Sequence, residues 1–267
     1  MAVIPVSLLI AWIFLGGRYT VIPEICDVID VIIHPFREPP DLDSAPLATG
    51  VIVSLLRVII GFAIAAVIAI PAGIGIGSSQ LTKDLFRPIF SVMMVVSPIA
   101  WMPLAIIAFR FSSVGTIFWG EEHWRFDILD QLSIAVIVII ATGAFFPIVV
   151  NTSAGVSGVR KAHVESIRIL GGSRWDIFRK VTVPSSLPSI MTGVRLGGGI
   201  SWRVMVAAEF FPGIRSGLGH MILTSQQQAE YRYTYAAIVV IAAIGLAIDL
   251  TLAMIEHRTN RWKRNER

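Results

Sequence analysis

The residues of this chain that could perform chemistry are charges placed inside long apolar stretches. Arg57, Arg195, Arg203 and Asp249 each interrupt such a stretch. An unpaired charge at the middle of a membrane-spanning helix costs about 2.5–3.5 kcal/mol on insertion scales, so each of these residues needs compensation. The compensation is either a charged partner, an interface with water, or a polar route that the charge itself lines.

Arg203 is the strongest candidate for lining such a route. It lies well inside its apolar stretch, and Arg195, eight residues earlier, is about 80° away around a helix. We hypothesise that Arg203, together with Ser201 and Glu209, lines a translocation route and favours an anionic solute. The residues Gly197, Gly198 and Gly199 thin the helix beside it.

Further residues complete the candidate route. Trp202 falls within about 20° of Arg195 around the helix, and Arg57 is a second cation within an apolar stretch. Trp101, between Pro98 and Pro103, is expected at a kink facing the same route. The alternative is that Arg57 and Arg195 pair within the bundle or reach an interface, that Asp249 does the same, and that proline kinks and aromatic packing explain the rest.

Other kinds of active site are not indicated. The sequence has no Gly-Lys dipeptide and therefore no P-loop that could hold a nucleotide. The five histidines have no ligand spacing, which argues against a metal site, and the single cysteine, Cys26, excludes an internal disulfide. We therefore expect no catalytic residue, metal or cofactor in this chain.

Composition indicates the environment in which these charges lie. Of the 267 residues, 55% are hydrophobic and only 15% are charged, and the mean hydropathy is +0.74. A soluble domain has about 25% charged residues, so this chain has too few to cover a surface in water. We expect an all-α, polytopic membrane protein.

Six stretches are long and apolar enough, or nearly so, to cross about 30 Å of hydrocarbon. They are Ala2–Gly17, which is short, Leu47–Gly77, Leu85–Phe109, Leu132–Val150, Val183–Phe211 and Tyr233–Ile255. The glycines Gly73, Gly75 and Gly77 at one span end are expected to allow close helix packing.

The distribution of basic residues predicts the orientation. With the second and fourth loops and the tail on one side, that side carries thirteen of the 22 lysines and arginines and the other side carries six. Under the positive-inside rule both termini are cytoplasmic. The basic tail after Ile255 therefore indicates topology and not nucleic-acid binding.

The fourth loop has its own helical pattern. From Val159 to Leu170, apolar residues recur at helical spacing among charged ones, and Gly171 and Gly172 then end the helix. Ser173 and Asp176 resemble a capping box that begins a second helix, which leads to Pro184 and Pro188. The pattern predicts a rigid projection from the membrane.

This loop resembles the EAA signature of the permease subunits of binding-protein-dependent ABC importers. Glu165, Gly171, Val181, Val183 and Pro184 match the family pattern at full spacing, with Ser166 and Ile167 in place of its two alanines. Three further stretches are similar to the nitrate, sulfonate and taurine branch: Val53–Gly77, Ser97–Phe109 and Val194–Phe211. The resemblance covers residues 47 to the C-terminus, and the longer, more acidic stretch Phe111–Gln131 departs from it.

The resemblance implies a fold like that of type I ABC importers, with about six transmembrane helices and a cytoplasmic coupling helix. It implies that Glu165, Ser166, Arg168, Gly171 and Pro184 couple the chain to ATP-binding subunits, which hold the ATP and Mg²⁺. It also implies an external solute-binding protein and a second permease copy, with a homodimer expected. The expected domains are 1–46 (first span and external loop), 47–257 (transporter domain) and 258–267 (basic tail).

The expected function is ATP-driven import, across the inner membrane, of a small anionic solute of the nitrate, bicarbonate, sulfonate or taurine class. One alternative is an ABC permease for a vitamin precursor or an osmolyte. A secondary transporter is a less favoured alternative, since its usual internal repeat is not evident. A structural scaffold would have no use for the rigid basic projection.

Overall fold

The computed structural model describes residues 12, 16–17, 21–39, 44–110, 112–119 and 127–260. Within these ranges the chain is helical, and the only β geometry is an isolated bridge between Ser113 and Ser133. The predicted all-α class is confirmed. Most of the predicted first span and residues 261–267 of the tail lie outside the described residues.

Twelve helices are described in the ranges given above. They are α1 (Ile25–Ile33), α2 (Leu47–Gly77), α3 (Gln80–Val95), α4 (Met102–Phe109), α5 (Val114–Trp119), α6 (Asp127–Asp130), α7 (Ile134–Ser157), α8 (Lys161–Ile169), α9 (Arg174–Ile177), α10 (Val183–Ala208), α11 (Leu218–Gln227) and α12 (Tyr231–Asn260).

Three of these helices, α2, α7 and α12, are long and apolar enough to cross a membrane, and α3 with α4 makes a fourth if the bent pair is one span. Helix α10 has 26 residues, enough for a crossing. Arg195 and Arg203 lower the mean hydropathy of α10, so its length is the main reason to regard it as a candidate membrane span.

The predicted span Leu85–Phe109 is broken where a kink was expected near Pro98, Trp101 and Pro103. Helix α3 ends at Val95, Val96 and Ser97 are extended, and a 3₁₀ turn at Pro98–Trp101 leads into α4. The two halves meet at 87°. The physical reason is Pro98, whose ring disfavours helical geometry at the preceding residue.

Glycines set the packing between α2 and α7. A Cβ added at Gly61 would lie 2.8 Å from Ile140, one at Gly73 would lie 2.6 Å from Thr152, and one at Gly77 would lie 2.6 Å from Ser153. The predicted close approach is thus confirmed for Gly73 and Gly77, whereas Gly75 faces open space. Since the contacts advance together along both helices, α2 and α7 run parallel, and the bent pair returns the chain between them.

The last two long helices run in alternating directions. Gly193 of α10 contacts Asn151 of α7, and Gly197 contacts Ile148, so α10 is antiparallel to α7. Helix α12 is antiparallel to α10, since Thr192 contacts Glu256 and Trp202 contacts Ile241. The end of α12 therefore lies at the same end of the bundle as α8 and α9.

Candidate functional site

The corner of the fourth loop is closed by glycine. After α8 the N–H of Gly171 donates to the carbonyl of Arg168 at 3.0 Å, and that of Gly172 donates to Ile167 at 2.9 Å. These two hydrogen bonds form a Schellman motif. Gly171 has φ +77°, a conformation that side-chain-bearing residues rarely adopt. The predicted glycine stop is confirmed.

The second loop helix begins with the predicted capping box. Ser173 Oγ accepts from the Asp176 N–H at 3.2 Å, and the Ser173 N–H donates to the Asp176 carboxylate at 3.1 Å. Lys180 Nζ lies 2.7 Å from the same carboxylate. The hydrogen bonds from Lys180 and Ser173 hold the pKa of Asp176 below its usual range.

Helix α9 continues directly towards the membrane through one π-helical turn, Phe178–Thr182, that joins α10. Pro184 lies in the first turn of α10, where a regular helix would bring its ring against the carbonyl four residues earlier. The wider π turn relieves that crowding. Helix α9 and the span α10 therefore form one continuous helical rod.

The projection has an apolar edge that is exposed among the described residues. The exposed fractions of Ile169, Leu170 and Trp175 are 85%, 84% and 65%. Glu165, Ser166 and Arg168 are exposed on the same short helix. Exposed apolar residues rimmed by charge are typical of a protein-binding surface.

At the opposite end of the bundle, Arg57 and Glu209 form a buried ion pair. Arg57 Nη1 lies 2.7 Å from Glu209 Oε1, and the two side chains are 1% and 0% exposed. The same carboxylate accepts hydrogen bonds from Ser54 Oγ at 2.8 Å and from the Gly219 N–H at 2.9 Å. The carboxylate is thus fully engaged by this chain.

Arg57 also holds the two loops on either side of the pair. It donates to the Ser216 carbonyl at 2.8 Å, to Ser216 Oγ at 3.1 Å and to the Gln131 carbonyl. At Gly217, which has φ +117°, an added Cβ would lie 2.3 Å from the Glu209 carboxylate. This cluster therefore joins α2, α10 and the start of α11.

Arg195 is paired as well. Its Nε lies 3.3 Å from Asp249 Oδ1, and its Nη1 lies 3.3 Å from Glu256 Oε2, both on α12. Glu256 also accepts from Thr192 Oγ1 at 2.7 Å. Pairing within the bundle, the alternative predicted for Arg57, Arg195 and Asp249, is confirmed.

Arg203 differs from these cations. Its Nε donates to the Gly199 carbonyl, one turn earlier on its own helix, at 3.1 Å. It is exposed and shares a stripe with Leu196, which is 50% exposed, and with Gly199, where an added Cβ would meet nothing within 4 Å. One face of α10 thus packs on α7, another packs on α12, and no described residue covers the face with Arg203.

The remaining candidates lie apart from Arg203. Ser201 is fully buried, and no described residue hydrogen-bonds its Oγ. Trp202 is 5% exposed and donates to the Ile241 carbonyl on α12 at 3.1 Å. Trp101 lies in the 3₁₀ turn that follows the bend between α3 and α4, and it is 38% exposed. The structure does not gather the predicted route residues into one site.

Sequence reasoning missed the partners of the buried pair. Ser54 precedes Arg57 by three residues, a spacing that places both on one face of α2 and could have indicated a shared acceptor. No sequence pattern indicated that Ser216 or the Gln131 carbonyl would accept hydrogen bonds from Arg57. Within the described ranges, no group of histidine, cysteine and acidic residues could hold a metal ion.

Comparison with known proteins gives a consistent result. Residues 67–261 match the sequence profile of the family described as binding-protein-dependent transport system inner membrane component. The chain is 31% identical to the nitrate import permease protein NrtB of Synechocystis sp., over 93% of this chain and 84% of that protein. It is 30% identical to the bicarbonate transport system permease protein CmpB of Synechococcus elongatus, over 87% of this chain and 75% of that protein.

The fold has a counterpart among solved structures. A chain from an inward-facing conformation of the MetNI methionine ABC transporter superposes with a TM-score of 0.59, over 80% of this chain and 96% of that chain. The two sequences are 16% identical. The superposition supports the fold at a sequence identity too low to carry ligand or residue roles.

Proposed function

Because this chain belongs to the family of binding-protein-dependent transport system inner membrane components, we propose that it is the permease subunit of an importer for a small anionic solute. The chain is a membrane-spanning transport component, and energy from ATP has to be supplied by other subunits. The observation that carries the solute class is Arg203 on the uncovered face of α10.

The physical argument for an anion rests on the contrast among the three arginines of the spans. Arg57 and Arg195 have carboxylate partners within the bundle, whereas Arg203 donates a hydrogen bond to the Gly199 carbonyl of its own helix. A cation at membrane depth that faced lipid would be costly. A polar route beside α10 gives that cation water and, during transport, an anion. The two relatives are named for nitrate and bicarbonate, which supports a small monoanion as the solute.

We further propose that the route lies between two copies of this chain. A second copy facing the Leu196–Gly199–Arg203 stripe would shield Arg203 from lipid and would complete a cavity that one chain leaves open. The closed Arg57–Glu209 cluster then acts as a structural junction that positions α10. In this proposal, Ser201, Trp101 and Trp202 contribute to the packing of the bundle that shapes the route.

The partner for the loop α8–α9 is an ATP-binding subunit, which would hold the ATP and Mg²⁺. The exposed Ile169, Leu170 and Trp175 supply an apolar surface for docking, and Glu165, Arg168 and Gly171 set its charge and shape. Because the loop continues through the π turn into α10, a displacement of the loop moves the helix that carries Arg203. An external solute-binding protein would deliver the solute at the opposite end.

The test is uptake by the complete complex in proteoliposomes. We expect ATP-dependent uptake of a small anion, strong loss of uptake in Arg203→Ala, and partial retention in Arg203→Lys, because lysine keeps the charge but not the planar guanidinium. Gly75→Ala is a control, since its added Cβ on α2 meets nothing within 4 Å and lies outside the Leu196–Gly199–Arg203 stripe.

The outcomes separate the proposals. Wild-type uptake in both Arg203 variants would contradict the role of Arg203. Uptake only of a neutral vitamin precursor or an osmolyte would contradict the anionic class. Uptake that needs no ATP-binding subunit would identify a secondary transporter.

A further inference from the structure

Helix α1 lies at the level where the long helices enter the membrane. It packs against α12, and Asp27, Asp30 and His34 line a pocket together with Leu47 and Tyr233. Leu47 is the first residue of α2, and Tyr233 is in the first turn of α12, two helices apolar enough to span a membrane. Tyrosines are enriched at membrane–water interfaces, and α12 begins with Tyr231, Tyr233 and Tyr235.

The helix has three distinct faces. Val28 is 2% exposed and packs on the bundle. Asp27, Asp30 and His34 form a polar face on the pocket, where His34 Nδ1 lies 3.1 Å from Asp30 Oδ1. The third face carries Ile29 and Ile33, which are four residues apart and therefore lie one above the other.

That third face is apolar, and no residue in the described ranges covers it. Ile29 is 47% exposed, Ile33 is 65% exposed, and Phe36 in the turn after the helix is 79% exposed. Within two turns of the same ends of α2 and α12, Ile52 and Ile238 are 45% and 49% exposed. The apolar surface of the spans therefore continues at the level of α1.

We propose that the Ile29–Ile33–Phe36 face of α1 is inserted into the interfacial layer of the lipid bilayer, with the polar face turned towards water. A helix with one protein face, one apolar face and one polar face satisfies all three surroundings at this depth. Asp27 and Asp30 of the polar face share the pocket with Arg37 and Arg232, and Arg37 lies 3.8 Å from Asp30. The face therefore has no basic cluster to attract anionic lipid headgroups, and the anchor depends on apolar insertion. This inference needs only the membrane location of the chain and is independent of the solute.

Lipid is favoured over a soluble partner by the composition of the face. Its three residues are aliphatic or aromatic, with the charged groups segregated to the other side of the helix. A partner that docks and leaves in each transport cycle would expose Ile33 and Phe36 to water each time. A lipid layer covers them continuously.

The natural cysteine provides the experiment. Cys26 is the only cysteine of the chain and is exposed, and it shares the stripe of Ile29 and Ile33 at spacings of three and seven residues. A nitroxide spin label is attached to Cys26 in the full complex in nanodiscs of zwitterionic lipid. Its collisions with oxygen, which partitions into lipid, are compared with collisions with a water-soluble nickel chelate.

We expect oxygen collisions to dominate at Cys26 and nickel collisions to dominate at the control, Asp27→Cys in a Cys26→Ser background. A second label, Ile33→Cys in the same background, should behave like Cys26. Nickel-dominated collisions at both apolar positions would overturn the proposal. Loss of collisions with both reagents, together with short distances between two Cys26 labels, would indicate that a second copy covers this face and would also overturn the proposal. Loss of collisions with both reagents only after the solute-binding protein is added would overturn it as well, because that protein would then be the occupant.

Discussion

The buried pair of Arg57 and Glu209 is held by mutual neutralisation of charge and by hydrogen bonds to most of its polar atoms, whereas Arg57 Nε has no hydrogen-bond partner among the described residues. The guanidinium and the carboxylate are less than 2% exposed, and Ser54, Ser216 and Gly219 hydrogen-bond to them. Burying either ion alone would be costly, since the free energy needed to remove a charge from water exceeds the stabilisation from most single contacts. The pair therefore acts at the scale of single residues as a junction that cannot lose one member.

We predict that Glu209→Gln or Arg57→Gln alone destabilises the folded chain by about 3–5 kcal/mol, because each leaves a buried charge without its counterpart. The double variant should be less destabilised than the sum of the two, since two neutral amides leave no net charge. Thermal unfolding of the purified complex measures this. Additive losses in the double variant would contradict direct coupling.

At the scale of elements, the fourth loop is rigid because its corner and its second helix are closed by local hydrogen bonds. The Schellman motif ends α8, and the capping box begins α9 three residues later. The π turn then carries the chain into α10 without a flexible joint. A push on the loop is thus transmitted to the span.

We predict that Gly171→Ala impairs docking of the ATP-binding subunit, whereas Gly75→Ala does not. A Cβ at either position meets nothing within 4 Å, but only Gly171 has a positive φ, of +77°. A residue with a side chain pays about 1–2 kcal/mol for that conformation, so the corner opens. Glu165→Arg and Gly171→Pro should be more severe.

Co-purification of the ATP-binding subunit and ATP-dependent uptake measure these effects, with the amount of inserted permease as the control. Insertion should be unchanged in all four variants. Wild-type co-purification and uptake in both Glu165→Arg and Gly171→Pro would contradict the coupling role of this loop.

At the scale of the whole molecule, the alternating directions of the helices place the loop α8–α9 and the Arg57–Glu209 cluster at opposite ends of the bundle. The parallel pair α2 and α7 and the antiparallel pairs of α10 put the loop α8–α9 and the end of α12 together. The buried Arg57–Glu209 cluster and α1 lie at the other end. Combined with the basic loops, this arrangement predicts a cytoplasmic loop and a cytoplasmic C-terminus.

We predict that a membrane-impermeant maleimide added to intact cells labels Asp27→Cys and not His257→Cys, each made in a Cys26→Ser background. Both side chains are exposed, so access depends on the side of the membrane. After permeabilisation both positions should react. The reverse pattern would invert the predicted orientation.

The sequence by itself determined what depends on local pattern. Apolar length marked the spans α2, α7 and α12 to within a few residues at most ends, and glycine, serine and aspartate at fixed spacing located the corner and cap of the fourth loop. The resemblance carried by Glu165, Gly171 and Pro184 then led to the family. These features depend on residues within about twenty positions of each other, where helix geometry alone fixes the relation.

Tertiary structure alone decided which charges are satisfied and which are free to act. Arg57 and Glu209 are 152 residues apart, and nothing local indicates that they meet. The packing of α10 against α7 and α12 left Arg203 on the third face. A charge in a span has a role only relative to its neighbours, because its energy depends on what replaces the water it has lost.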